Sequence, residues 1–199
     1  MSEPVSLDDI KTHLRLDPDD TGEDLYLAAL ITAARRACER RINRSVVGAA
    51  LTLTLDRFPH APSGWPVVPV TVPAPDALEI ELPGGAVTAI GGVSYLDAFG
   101  AAQQLGAAAY TALLGEPARL APAGAWPDTA AQPGAVSIAY TVSPLAADDL
   151  AMVCQAMRLI VEGWYSHRGA LAVDTRGIPT EVPLAVTWLL EPLRKWADD

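Results

Sequence analysis

Cysteine, histidine and phenylalanine are scarce in this chain, and so is positive charge. Two cysteines among 199 residues cannot staple a fold of this size. Cys38 and Cys154 fall on the apolar faces of predicted helices, so free, buried thiols in a reducing compartment are expected. The three histidines, His13, His60 and His167, lie far apart, and no His or Cys pair has the spacing of a metal site. Fourteen Lys and Arg stand against 24 Asp and Glu, a formal net charge of −10. That balance argues against a broad grip on nucleic acid or an anionic membrane, which needs clustered cations. No apolar run approaches the ~20 residues of a membrane span. The acidic opening MSEPVSLDD has no apolar core, which predicts no signal peptide. A Walker loop, a dinucleotide glycine signature and a nucleophile elbow are all missing. The sequence therefore predicts no catalytic residue, no metal and no cofactor.

Half of the residues are hydrophobic, enough for a substantial core. The strongest pattern is Asp148 to Arg168, where Leu150, Val153, Cys154, Met157, Ile160, Val161 and Trp164 recur at three- and four-residue steps. Asp148 and Asp149 at its start are expected to accept from free backbone N–H groups, and His167 and Arg168 suit the negative end of the dipole. Gly169 follows as a stop. Ahead of this central helix, Ser6 and Asp9 form a capping box with Asp in place of Glu, and Val5 is set to staple onto a helix carrying Leu7, Ile10 and Leu14. The acidic DPDDTG that follows fails as a calcium loop, because Ala28 stands where the bidentate Glu is required. It reads instead as a loop capping the next helix. That helix runs from Glu23 to about Asn43, with Leu27, Leu30, Ile31, Ala34, Cys38 and Ile42 on one face. Arg36, Arg40 and Arg44 stand at four-residue spacing on the opposite face.

Between Ala49 and Val142 the period falls to two. Leu51, Leu53 and Leu55 alternate with threonines, and Leu78, Ile80 and Leu82 alternate with Glu79 and Glu81. Solvent-facing positions account for those two glutamates better than a catalytic pair does. Strands are predicted over Ala86–Leu96, Gln103–Leu105, Tyr110–Leu114, Ala118–Leu120 and Val136–Val142. Asp97-Ala98-Phe99-Gly100 and Gly115-Glu116-Pro117 supply hairpin turns. The proline-rich passage Pro59–Pro75 cannot be helix interior or central strand. Past the central helix, Gly169 to Glu181 reads as a loop. Pro183 then opens a last helix carrying Leu184, Trp188, Leu189, Leu193 and Trp196, which Pro192 should kink or split.

These elements predict an α+β chain: a helical bundle of two N-terminal helices, one long central helix and one C-terminal helix, with a small antiparallel β domain inserted. The boundaries expected are 1–48 and 144–199 for the helical domain and 49–143 for the insertion. The order of elements resembles the phage head–tail connector (adaptor) family, in its larger subfamily with a β insertion. Particular residues carry the resemblance. They are Ser6 to Arg15 with the acidic turn after them, Cys38-Glu39-Arg40-Arg41-Ile42-Asn43-Arg44, and Val93 to Asp97 with Gly100 and Gln104. To these are added Trp126-Pro127, Val136–Tyr140, Trp164-Tyr165 with His167-Arg168, Val182-Pro183, and Leu189-Leu190 with Pro192 and Arg194. Thr141-Val142-Ser143-Pro144 departs from the family, where a glycine-bearing turn is expected before the long helix. Gene transfer agents, which are domesticated phage-like particles, carry similar adaptors.

The resemblance implies a structural protein of the virion without an active site, assembled in the host cytoplasm and placed at the head–tail junction. It implies a ring, commonly of twelve copies, beneath the portal protein. Such a ring extends the channel for double-stranded DNA and recruits a stopper or tail-completion protein. Arg36, Arg40 and Arg44 are the candidates for the contact between subunits, and charge reversal at Arg40 is expected to weaken the ring. Trp188, Leu189, Leu193 and Trp196 are the candidates for docking to the portal, so that truncation before Glu181 should abolish it. Three rival readings are a stopper or tail-completion protein, a ligand-binding module, and an enzyme using His167. Stoppers are usually dominated by β structure, whereas the longest segments here are helical. Tyr95, Phe99 and Tyr110 are too scattered for an aromatic binding face, and His167 has no nucleophile partner.

Overall fold

The computed structural model describes residues 3–60, 78–167 and 184–195. Most of the proline-rich passage, the segment Gly169–Glu181, Arg168, Pro183 and Trp196 lie outside the described residues. The chain divides into two compact units, Met1–Val47 with Pro144–Asp199, and Gly48–Ser143.

The first unit is helical. Helix α1 (Leu7–Leu14) starts on the predicted capping box: Asp9 N–H donates to the Ser6 hydroxyl, and the Asp9 carboxylate accepts from Ser6 N–H. Val5, immediately before it, is buried. The α1 end is followed by Arg15 in the left-handed conformation, and the acidic turn comes next. This turn is built around a cation of the chain's own. Lys11, 3% exposed, donates Nζ to the carbonyls of Pro18 (3.1 Å) and Asp20 (2.7 Å) and pairs with Asp24 at 2.6 Å. An ammonium thus stands inside the turn that superficially resembled a calcium loop. Helix α2 (Asp24–Ile42) closes on Asn43, also left-handed. Helix α3 (Ala147–Ser166) is the predicted central helix, and its Val153, Ala156, Met157 and Val161 are fully buried against α2 and its neighbours.

Two details at the ends of α3 differ from the sequence reading. Asp148 and Asp149 lie in the first turn, but no side chain caps it, because the N-cap position falls on Ala146. Asp149 reaches Arg44 at 3.7 Å instead. Trp164, expected on the buried face, is 41% exposed. Tyr165 continues that face in its place, with its hydroxyl on Glu23 and its ring 6.5 Å from that of Tyr26. Helix α4 (Leu184–Leu190) passes into a 3-10 turn over Glu191–Leu193, so Pro192 splits off the last turn as predicted.

Among the described residues, the second unit holds seven strands in two antiparallel sheets. Strands β1 (Ala49–Leu55), β3 (Val87–Leu96), β4 (Ala102–Leu105) and β7 (Val136–Val142) make one sheet in the order β1-β7-β3-β4. Strands β2 (Ile80–Leu82), β5 (Tyr110–Leu113) and β6 (Ala118–Pro122) make the other, in the order β2-β6-β5. Strand β7 is central, and Ile138 faces both Leu53 and Val93 across it. Its alternate residues Val136, Ile138, Tyr140 and Val142 point into the core, as a period of two requires. A bridge between Val87 and Gly115, closed by hydrogen bonds of 2.8 and 3.0 Å, ties the second hairpin to the first sheet.

Candidate functional site

Among the described residues, no three His, Cys, Asp or Glu side chains gather as metal ligands. Cys38 and Cys154 are free thiols. Burial pushes Cys38 up to about 12 and raises Cys154 as well, so neither is a nucleophile at neutral pH. His167 sits at the end of α3 with Nδ1 2.8 Å from the Gly163 carbonyl. His13 meets Glu162 at 3.1 Å, and His60 lies 3.7 Å from Asp128 in an open, polar recess. The features that stand out are exposed faces.

Helix α2 carries the first. Its inner side buries Leu27, Ile31, Ala34, Cys38 and Ile42. Arg35, one step from that side, is buried too, a placement that the four-residue spacing did not reveal. Its Nε donates to Glu3 at 2.8 Å, and its Nη1 donates to both Glu39 carboxylate oxygens at 3.0 and 2.9 Å. The hydrogen bond that it donates to Glu3 is the main influence holding the guanidinium above its ordinary pKa. Glu39 also accepts from Val46 N–H at 3.2 Å, so one network binds the N-terminal segment, α2 and the segment after it.

The predicted basic stripe is divided by the structure. Arg36 is 69% exposed and touches Glu39 at 3.4 Å, and Arg40 is exposed with no ion pair among the described residues. Arg44 lies beyond the left-handed cap, so it leaves the helical row. Its side chain is only 12% exposed and faces Asp149. Arg41 pairs with Glu191 at 3.2 Å. Ahead of the arginines, residues 25–34 contain no charge at all, yet Leu25 is 91% exposed and Ala29 and Ala33 also face outward. A leucine two residues before the buried Leu27 is the sequence signal for this apolar extension of the outer face, which the spacing of the arginines alone does not reveal.

Helix α4 carries the second face. Trp188 is 71% and Leu184 64% exposed, one turn apart on the same side. Leu193 is buried and Leu189 half-buried, both against the helical core, because α4 is short and spends its other side on α3. Among the docking candidates, then, Trp188 is available at the surface, Leu189 only in part and Leu193 is not. Trp196 lies outside the described residues.

The third feature is the β3–β4 hairpin. Its turn is held by Asp97, whose carboxylate accepts from Phe99 N–H (3.0 Å), Ala101 N–H (2.9 Å) and Gln103 Nε2 (3.0 Å). Gly100 closes it at φ +82, where a Cβ would be strained. Phe99 is presented at the tip almost fully exposed. The bond from Gln103, and then those from the backbone, hold the Asp97 carboxyl below its ordinary value. Its contribution is therefore complete above about pH 4. It disappears as pH falls through the lowered folded value. Asp97→Ala is expected to speed amide hydrogen exchange at Phe99 and Ala101 severalfold while leaving Val93 unchanged. Equal exchange in variant and wild type would show that the turn holds without the carboxylate.

Residues 4–73 match the model of the phage gp6-like head-tail connector protein family. No curated protein matches the chain. Among solved structures, a chain from the neck of an empty gene transfer agent (GTA) particle in C6 symmetry is 21% identical, with a TM-score of 0.67. The alignment covers 99% of the present chain and 94% of that one. A chain from the virion of a native GTA particle is 22% identical, with 98% and 91% covered and a TM-score of 0.62. A chain from the neck of a native GTA particle in C12 symmetry is 20% identical, with 99% and 93% covered and a TM-score of 0.58. Over residues 4–73 the chain is similar to the phage gp6-like head-tail connector proteins, and along nearly its whole length it has the fold of these GTA particle chains.

Proposed function

We propose that this protein is a structural head–tail adaptor of a tailed phage or gene transfer agent, forming a ring under the portal and working by shape. The observation that carries the reading is the coincidence of two independent likenesses on one chain. The connector-family match falls on α1, α2 and β1, and the fold of GTA neck chains extends over both units. The acidic balance suits a conduit for double-stranded DNA. A channel wall without clustered cations offers phosphates nothing to hold, so DNA slides past. The ring would present one side to the portal and the other to a stopper or tail-completion protein.

On this reading α4 docks to the portal through Trp188 and Leu184. Truncation before Glu181 is a poor test, since it also removes Val186, Leu190 and Leu193 from the core. Trp188→Glu leaves that core intact. Electron micrographs of the purified protein should show rings, and the rings should bind the portal of the same particle. Trp188→Glu should weaken that binding about tenfold or more, as loss of a tryptophan hot spot does, with the rings preserved. A wild-type protein that forms no ring, alone or with portal, would end the adaptor reading. Unchanged binding by the variant would remove only the role of α4.

A further inference from the structure

We infer that the outer row of α2 is the face by which one copy of this chain meets the next, and that it seats against the neighbour's acidic turn at Asp17–Asp20. The inference rests on the ring reading above and names the two surfaces that the ring would join. The row runs Leu25, Ala29, Ala33, Arg36 and Arg40, spaced by three and four residues on the exposed side of a 19-residue helix. A solvated helix face of that length normally carries mixed charge. This one begins with a 91% exposed leucine and two alanines and ends in two arginines. Small side chains let another backbone approach, and the cations at the far end then set register.

Charge identifies the occupant. Arg40 has no ion pair among the described residues, although the protein carries ten more negative charges than positive. On the same helical unit Asp17, Asp19 and Asp20 are all exposed and make no ion pair among the described residues. The nearby cation, Lys11, is buried beneath the turn on two carbonyls and Asp24. Asp17 and Asp20 fix the turn by accepting from Asp19 N–H and Gly22 N–H, leaving the Asp19 side chain uncommitted. One subunit therefore bears a basic, partly apolar helix face and a separate acidic turn. Two different complementary patches on one chain are what a heterologous contact, and hence a closed ring, requires.

The test is a charge exchange on the full-length protein, read by native mass spectrometry and sedimentation. Arg40→Glu and Asp19→Arg should each raise the subunit concentration needed for assembly about tenfold or more, because each sets like charges against one another. The double variant should return it to within about threefold of wild type. Wild-type assembly should also weaken with salt, since the contact is electrostatic. Trp188→Glu should leave assembly unchanged. Circular dichroism should show every variant folded, as the Arg40 side chain and the Asp19 carboxylate are exposed and make no hydrogen bond or ion pair among the described residues. Rings that form equally well from Arg40→Glu, or a double variant as impaired as the singles, would overturn the pairing while leaving the adaptor reading in place. A wild-type protein that never forms rings would overturn both.

Discussion

Arg35→Met is expected to destabilise the helical unit by about 3 kcal/mol, whereas Arg36→Met, one residue later, should change it by no more than about 0.5 kcal/mol. The two arginines differ in surroundings and not in chemistry. Arg36 is 69% exposed and its contact with Glu39 is screened by water. The Arg35 side chain is 9% exposed and its partners Glu3 and Glu39 are 30% and 12% exposed. Removing the guanidinium takes their shared cation from Glu3 and Glu39 in a partly dry site, which costs more than the lost bonds alone; Glu3 would keep the Thr32 hydroxyl at 3.0 Å. Glu39 would keep Val46 N–H and the distant Arg36, which places the effect at the lower end of the range for buried pairs. Thermal unfolding should register a drop of more than about 10 °C for a unit of this size. Indistinguishable midpoints for the two variants would show that the network contributes no net stability. The dependence on pH has a definite sign. The folded pKa of Arg35 is raised above that of a free guanidinium, so its contribution is complete at neutral pH and is lost only in strong base.

Phe58→Ala should cost the β unit about 3 to 5 kcal/mol. Phe58 is fully buried, stacks on Trp126 with centroids 4.7 Å apart and planes 1° from parallel, and meets Tyr95 edge-on at 5.7 Å. Trp126 is fixed in turn by its Nε1–H donating to the Leu78 carbonyl at 2.8 Å. The three rings hold the segment after β1 and the long β6–β7 connection onto the first sheet. Truncation to alanine removes a ring that nothing nearby can replace, and the cavity adds to the transfer cost. Near-ultraviolet circular dichroism, which reads the stacked tryptophan, should lose intensity, and Phe58→Leu should recover part of the stability by refilling the space. A Phe58→Ala protein as stable as wild type would mean that the stack is decoration.

Phe58 also marks where reading the chain as letters stops. Every strand among the described residues was legible, because Thr52 and Thr54 between leucines, or Ser137, Ala139 and Thr141 between larger residues, announce a pleated, one-sided surface. The capping box at Ser6 and the proline break at Pro192 were legible for the same reason: each rule acts within a few residues. Phe58 lies in no periodic segment, and Trp126 is 68 positions away, so nothing local could join them. The candidate faces divide in the same manner. The outward side of Trp188 follows from helical spacing, but Leu193, drawn inward by the 3-10 turn, required the tertiary packing. Arg44 looked like the third member of a row because its spacing is right. The left-handed Asn43 ends the row first, and a non-glycine residue in that conformation is not announced by composition. Buried Arg35 was hidden because its partner Glu3 comes from a separate segment.

Strands β1 and β7 begin and end the inserted unit as direct neighbours, with Ala49 opposite Val142, while just outside them Leu145 N–H donates to the Val46 carbonyl at 3.2 Å. The polypeptide thus departs from the helices and returns to them through a gap one strand spacing wide, about 5 Å. A module attached by so narrow a doorway can be enlarged, trimmed or exchanged without rethreading any helix. The helical body can then stay constant while the inserted unit is changed.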